Sequence, residues 1–422
     1  MDKRIKELID FSKEKFCLHE YYLHTYDIER TISLFDETIY ILCMEWFPNH
    51  ILDWKDETYN PEGTVYVELD VHSRKTKRVI FSRGVSYVDD LMFDFHNKDE
   101  IINWIEKETG LIYNKQFMFW KEEESELQFR TCIDGYAVSP SGYIQFKLDN
   151  EGRLTLFSVD GHIPSNTLVQ QEEYVLSLEK VEELAKEQLK LIEFPVVKRK
   201  KLVAAYAIEE IYVKNDDSTT LPFEYIVDER SRVKVDKVLE WEETIRKPFQ
   251  SIEISLDEKI TPDQAFRCEQ HPDLRRITDE ELQKCMEAIQ KFMSQEYMND
   301  SGMWKLKSLH REKGYIHATL KVKEQKECVF KRKLKLFIDS STYEVLNYMD
   351  TKPFIEIYNN LLEAEEIKIT KEEAFERLKE YIEITPYYVY DVERDSYVLC
   401  GLLDCHSAVK AFDGEIVSLS EL

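Results

Sequence analysis

Residues 140–149 read PSGYIQFKLD, and residues 61–70 read PEGTVYVELD. Both run Pro-x-Gly, then alternating apolar residues, then Leu-Asp. Past Asp149 the phrase continues as YIQFKLDNEGRLTLFSV (143–159). Apolar alternation on both sides of a polar Asn-Glu-Gly turn predicts two antiparallel strands. The stretch VYVELDVHSRKTKRVIFS (65–82) predicts the same hairpin with a longer turn. Looser copies are FEYIVDERSRVKVDKVLEW from Phe223, LKLFIDSSTYEVLNYM from Leu334 and AVKAFDGEIVSL from Ala408. Each is an apolar strand ending in aspartate, a short polar turn and a second apolar strand. The aspartates are Asp70, Asp149, Asp228, Asp339 and Asp413. An aspartate at a strand end serves the backbone, because its carboxylate accepts N–H groups of the following turn.

A second phrase lies between the hairpins. ITPDQAF (260–266) and ITKEEAF (369–375) share Ile, Thr, Ala and Phe, and ITDEEL (277–282) and LSLEKVEEL (176–184) are related. Thr261/Gln264, Thr278/Glu281 and Thr370/Glu373 have the spacing of a capping box, in which each side chain satisfies the other residue's free N–H. Pro262 falls at the first helical position, where its missing donor costs nothing. Val181, Leu184, Ala185, Leu189 and Ile192 predict one helical stripe; Ala374, Leu378, Tyr381 and Ile382 predict another. KDEIINWIEKETG (98–110) predicts a helix stopped at Gly110. At the N-terminus, Ile5, Leu8, Ile9 and Phe16 share one face of an amphipathic helix.

The expected fold class is therefore α+β, in repeated units of one helix packed on a small antiparallel sheet. Five units are expected: 1–90, 91–166, 167–250, 251–352 (with an extra helix) and 353–422. A unit this small buries modest apolar area alone, so neighbours are expected to stabilise one another.

The 422 residues carry a net charge of −26. Such a surface repels phosphate backbones, which argues against nucleic acid and anionic membrane as partners. The basic runs KRKK (198–201) and KRKLK (331–335) read as solvated residues at strand starts, and KEEESE (121–126) as a solvated turn. Eight cysteines are spread over the chain, most of them inside apolar segments, and suit a reducing compartment. No signal-peptide-like core and no 18-residue apolar run is present, so a soluble cytoplasmic protein is expected.

Chemical motifs are sparse. The sequence holds no H-E-x-x-H, C-x-x-C, G-x-S-x-G, Walker or G-x-G-x-x-G pattern. In CGLLDCH, Cys400 and Cys405 are an odd number of residues apart and would face opposite ways on a strand. His310 and His317, expected on adjacent strands, form a cross-strand pair of a kind that can bind metal, but the reading preferred is ordinary surface residues. No catalytic residue, metal site or cofactor is expected. In PYYVYDVERDSYV (386–398), alternation puts Tyr388 and Tyr390 on one face and Tyr387 on the other; these tyrosines are the one candidate interaction surface, since exposed tyrosines favour interfaces, and packing over a sheet is the ordinary reading beside it.

The helix starts ITPDQAF and ITKEEAF, with the hairpins NPEGTVYVELDVHSRKTKRVIF, VSPSGYIQFKLDNEGRLTLFSVDG and SAVKAFDGEIVSL, resemble PepSY-like domains. The closer resemblance is to the YcdB/YcdC repeat family of spore-forming bacteria. The resemblance implies a non-catalytic module, associated with restraining peptidases or acting at the cell envelope, and carries no catalytic motif. The expected function is a non-catalytic interaction or regulatory module for a protein or peptide partner. A small-molecule sensor, or an enzyme with a site assembled between units, is the alternative.

Overall fold

A computed structural model describes residues 1–33, 35–56, 58–164, 168–169, 172–216, 219–222, 233–242, 244–323, 331–359 and 361–422. Asp228, the first strand of its hairpin, and Cys328 lie outside these residues. The architecture is α+β with several sheets. The chain divides into two compact units. The first comprises 1–170, 258–271 and 387–397; the second comprises 171–257, 272–386 and 398–422.

The first unit holds β1 (Tyr21–Ile32), β2 (Thr38–Pro48), β3 (Val65–Asp70), β4 (Thr76–Phe81), β5 (Phe117–Glu123), β6 (Glu126–Ile133), β7 (Tyr136–Ser139), β8 (Gly142–Leu148) and β9 (Leu154–Gly161). The order β1-β2-β3-β4-β9-β8-β6-β5 is antiparallel throughout. β7 pairs with the end of β6, and parallel with Tyr387–Val389. Helices Lys3–Lys15 and Lys98–Thr109 supply Ile5, Leu8, Ile9, Ile101 and Ile105 to a core shared with Val67, Phe129, Phe146 and Phe157. The second helix ends as its sequence predicts: Gly110 takes a left-handed φ of 72°, which suits a residue without Cβ.

The second unit holds β10 (Leu189–Val196), β11 (Lys201–Ile208), β12 (Ile211–Lys214), β13 (Thr220–Pro222), β14 (Val233–Leu239), β15 (Trp304–Glu312), β16 (Tyr315–Val322), β17 (Lys333–Asp339) and β18 (Val345–Asp350). The strands β19 (Glu383–Asp391) and β20 (Ser396–Asp404) carry residues of both units, and β21 (Ser407–Lys410) and β22 (Ile416–Ser418) complete the chain. One sheet is ordered β10-β11-β21-β22. Helices Leu178–Gln188 and Lys371–Leu378 bury Val181, Ala185, Ala374, Phe375 and Leu378 with Ala204 and Tyr206 of this sheet. A five-stranded meander, β14-β15-β16-β17-β18, packs against helix Asp279–Glu296. That helix buries Cys285, Met286, Ile289, Phe292 and Met293, the spacing of one apolar face.

The strand-end aspartates act on their turns. Asp149 Oδ1 accepts from the Glu151 and Arg153 N–H groups at 2.9 and 2.8 Å. Asp70 Oδ1 accepts from the His72 and Ser73 N–H groups, and Asp339 Oδ1 from those of Ser341 and Thr342. Asp413 accepts from the Glu415 N–H at 3.0 Å. Asp391 does the same for Glu393 at 3.1 Å between β19 and β20. All three capping boxes form reciprocally.

Two stripe readings need correction. The predicted stripe 181–192 is helical only to Gln188; Leu189 is extended, and Leu189 and Ile192 belong to β10. Their apolar side chains serve a strand as well as a helix, which periodicity alone does not separate. Tyr381 is 48% exposed, because the helix tightens to a 3-10 turn at 379–381 and rotates it off the buried face.

Candidate functional site

The expected tyrosine surface is not a surface. Tyr388 and Tyr390 are buried, and Tyr387 is half-buried. Residues 387–389 lie beside β7 as a parallel neighbour, so this part of β19 is interior to its sheet. Tyr390 packs edge-on against Phe35 and Tyr397, with ring centres 5.7 and 5.3 Å away, and its hydroxyl bonds Asp395. Tyr387 Oη accepts from Arg130 Nη1 at 3.2 Å. Aromatic-rich strands in a sheet with both neighbours present fill a core.

His310 and His317 are also not surface residues: they are 9% and 2% exposed. The turn at 313–314, with Lys313 and Gly314 both at positive φ, folds β16 back on β15. The resulting register sets His310 directly opposite His317. Alternation sends Leu309, Ile316, Ala318 and Leu336 toward helix Asp279–Glu296, so His310, Glu312, His317, Lys335 and Phe337 share the other face. Glu312 Oε2 lies 2.9 Å from His317 Nδ1, 3.3 Å from His310 Nε2 and 3.1 Å from Lys335 Nζ. The Phe337 ring stands 4.8 Å from that of His317, at 67°. Burial, then the Lys335 ammonium, push the His317 pKa down to about 4, so the imidazole is neutral at pH 7. Burial acts to raise the Glu312 carboxyl, but Lys335 and the two histidines outweigh it and hold it below its usual range. Sequence reasoning finds the histidine pair and misses Glu312. A signal for it exists, because residues two apart on a strand share a face.

The outermost strand of the first unit is a different kind of feature. β1 is 12 residues long and, among the described residues, pairs with β2 alone. A bulge between Leu23 and Thr25 leaves His24 out of register, stacked on Phe47 with ring centres 3.9 Å apart. Asp27 and Glu29 are exposed on this strand, whereas the Arg30 guanidinium is engaged by Glu258.

Among the described residues, burial works against activation of the Cys43, Cys132, Cys285 and Cys405 thiols. Burial pushes Cys43 up to about 12 and Cys285 up to about 11, and raises Cys132 and Cys405. Exposed Cys268 has its Sγ 3.5 Å from His72 Nε2. A cavity of about 220 Å³ in the second unit is lined by Arg199, Lys201, Lys410, Phe412, Glu365 and the 202–204 stretch. The run KRKK thus contributes to a concave surface, where Lys201 pairs with Glu365 at 3.4 Å and Lys368 sits 3.8 Å above the Phe412 ring. Among the described residues no helix is long and apolar enough to cross a membrane.

Comparison of the sequence with models of known families and with curated proteins gives no match. Among solved structures, the chain is similar to the Bacillus megaterium YpeB C-terminal domain, at 8% identity and a TM-score of 0.26. That likeness covers 83% of this chain and 97% of the other. At such a TM-score it carries no argument about fold or function.

Proposed function

We propose that this protein is a non-catalytic interaction module that receives an extended segment of a partner protein along β1. The observation that carries this reading is the 12-residue strand that, among the described residues, is paired on one side only. An edge strand presents a row of backbone donors and acceptors, and strand addition satisfies them while alternate side chains select the partner. The bulge and the charges on β1 discourage indiscriminate pairing, and Asp27 and Glu29 favour a basic segment over an acidic one. The raised thiol pKa values of the interior cysteines agree with a role other than nucleophilic catalysis. A five-fold repeat of PepSY-like helix-and-hairpin units, with the peptidase-restraining role such modules imply, belongs to the same reading; the capping boxes and aspartate-closed turns support it.

The test is capture of partners on the immobilised protein at low and high salt, followed by hydrogen exchange on any complex. The reading expects one stoichiometric protein to survive high salt and to slow exchange of amides within 22–31. No salt-resistant partner, or protection that spares β1, defeats it. A second reading, a sensor of a small charged molecule, is favoured by the cavity lined by Arg199, Lys201, Lys410, Glu365 and Asp413. A thermal shift with phosphate or dicarboxylates that Arg199→Ala abolishes would select it.

A further inference from the structure

We propose that His310, Glu312 and His317 bind one divalent transition-metal ion of the zinc type. The three residues offer two imidazole nitrogens and a carboxylate oxygen, all within 4.8 Å of one another. Ligands about 2.1 Å from a tetrahedral centre lie about 3.4 Å apart. The separations from Glu312 Oε2, 2.9 and 3.3 Å, are already close to that figure, so side-chain rotation suffices. The strands that carry the donors are held by an unbroken register from Ser308 to Glu312 and from Tyr315 to Thr319, so the pair is set by the sheet and not by a loop.

A second observation points to a ligand. His317 is 2% exposed, yet neither Nδ1 nor Nε2 makes a hydrogen bond among the described residues, although Nδ1 lies 2.9 Å from Glu312 Oε2. A buried imidazole nitrogen left unsatisfied carries the desolvation cost of that group without the bond that offsets it. An ion on Nδ1 supplies the partner that this nitrogen lacks. The donor set selects the metal: two neutral imidazoles with one carboxylate suit zinc, cobalt or nickel, whereas calcium and magnesium take oxygen ligands. Three protein ligands leave a fourth position for water or a further donor.

Lys335 is the cation that occupies the neighbourhood otherwise. Its Nζ is 3.1 Å from Glu312 Oε2, and its side chain is 37% exposed. That partial exposure gives it room to swing away as the ion arrives. Lys335 is thus a tethered competitor, and its removal strengthens binding. The inference stands apart from the β1 edge, which belongs to the other unit.

The experiment is calorimetric titration of the chelator-stripped full chain with Zn²⁺, in wild type and in Glu312→Gln, His317→Phe and Lys335→Met. The wild type is expected to bind one ion with micromolar or tighter affinity. Glu312→Gln and His317→Phe are expected to weaken it at least tenfold, and Lys335→Met to tighten it severalfold. Far-ultraviolet circular dichroism confirms that each variant is folded before its titration counts. Absence of wild-type binding, binding unchanged by Glu312→Gln and His317→Phe, or an affinity unmoved by Lys335→Met would each overturn the assignment.

Discussion

Neighbouring residues on β15 show two opposite ways of placing charge in a sheet. Arg311 faces helix Asp279–Glu296 and Glu312 faces the other way. On the helix side, Glu281 is 6% exposed and Arg311 8%. Glu281 Oε1 accepts from Arg311 Nη2 at 2.7 Å and from Tyr343 Oη at 3.0 Å, and also from Arg275. Its Oε2 accepts from the Thr278 N–H at 2.9 Å, and Arg311 Nε donates to the Arg275 carbonyl at 2.9 Å. On the other side, Glu312 is shared among two histidines and a lysine, and His317 keeps a nitrogen without a partner among the described residues. The first cluster is satisfied by the chain itself. The second leaves a buried His317 nitrogen that no described residue satisfies. Buried polar groups that are fully bonded specify a fold, whereas an incompletely bonded one carries an energetic cost that function can justify.

The largest expected effect comes from breaking the satisfied cluster. Glu281→Ala leaves the Arg311 guanidinium buried without its carboxylate and is expected to cost about 3–5 kcal/mol in urea unfolding. A loss under about 1 kcal/mol, the scale of an exposed pair, would remove the contrast between the two faces.

Acid separates the clusters next. Burial acts to raise the Glu281 pKa, but the Thr278 N–H, Arg311 and Tyr343 outweigh it and hold it down at about 2. The folded value lies below the unfolded one of about 4.3. Unfolding therefore takes up a proton, and stability present above about pH 4.3 is lost as pH falls toward about 2. Wild type is expected to lose stability steeply across that window, and Glu281→Gln, already weakened, to show a flatter profile there. Parallel profiles would show that other carboxylates dominate acid unfolding.

Smaller effects sharpen the comparison. Thr278→Ala removes the hydroxyl that accepts the Glu281 N–H at 3.3 Å but leaves the carboxylate network in place. Its expected cost in the same urea titration is about 1 kcal/mol, the ordinary value of an N-cap. His317→Phe, without added metal, is expected to change stability by less than about 1 kcal/mol, since an apolar ring of similar size replaces one that lacks a full set of bonds. A loss comparable to that of Glu281→Ala would mean that the histidine cluster is itself a structural keystone.

Much of this fold is legible because its signals are local. Asp149 bonds N–H groups two and four residues away, and Thr370 and Glu373 complete each other within one helical turn. Asp391 closes a turn in the same way, although the tyrosines around it are the more conspicuous feature of that segment. The sites are less legible. Exposure of Tyr388 and Tyr390 depends on whether a strand about 250 residues earlier lies beside them, and β7 does. Burial of His310 and His317 likewise depends on what else covers the face of the meander away from its helix.

By itself the sequence determined the hairpins, the caps, the α+β class and the pairing of His310 with His317, because each follows from period, turn chemistry and backbone bonds over short separations. Tertiary structure alone decided which faces are interior. It joined Glu281 to Arg311 across 30 positions, and it brought Glu312 and Lys335 to one point across 23. The physical reason is that alternation states which side chains share a face, while burial and charge pairing belong to whatever packs against that face.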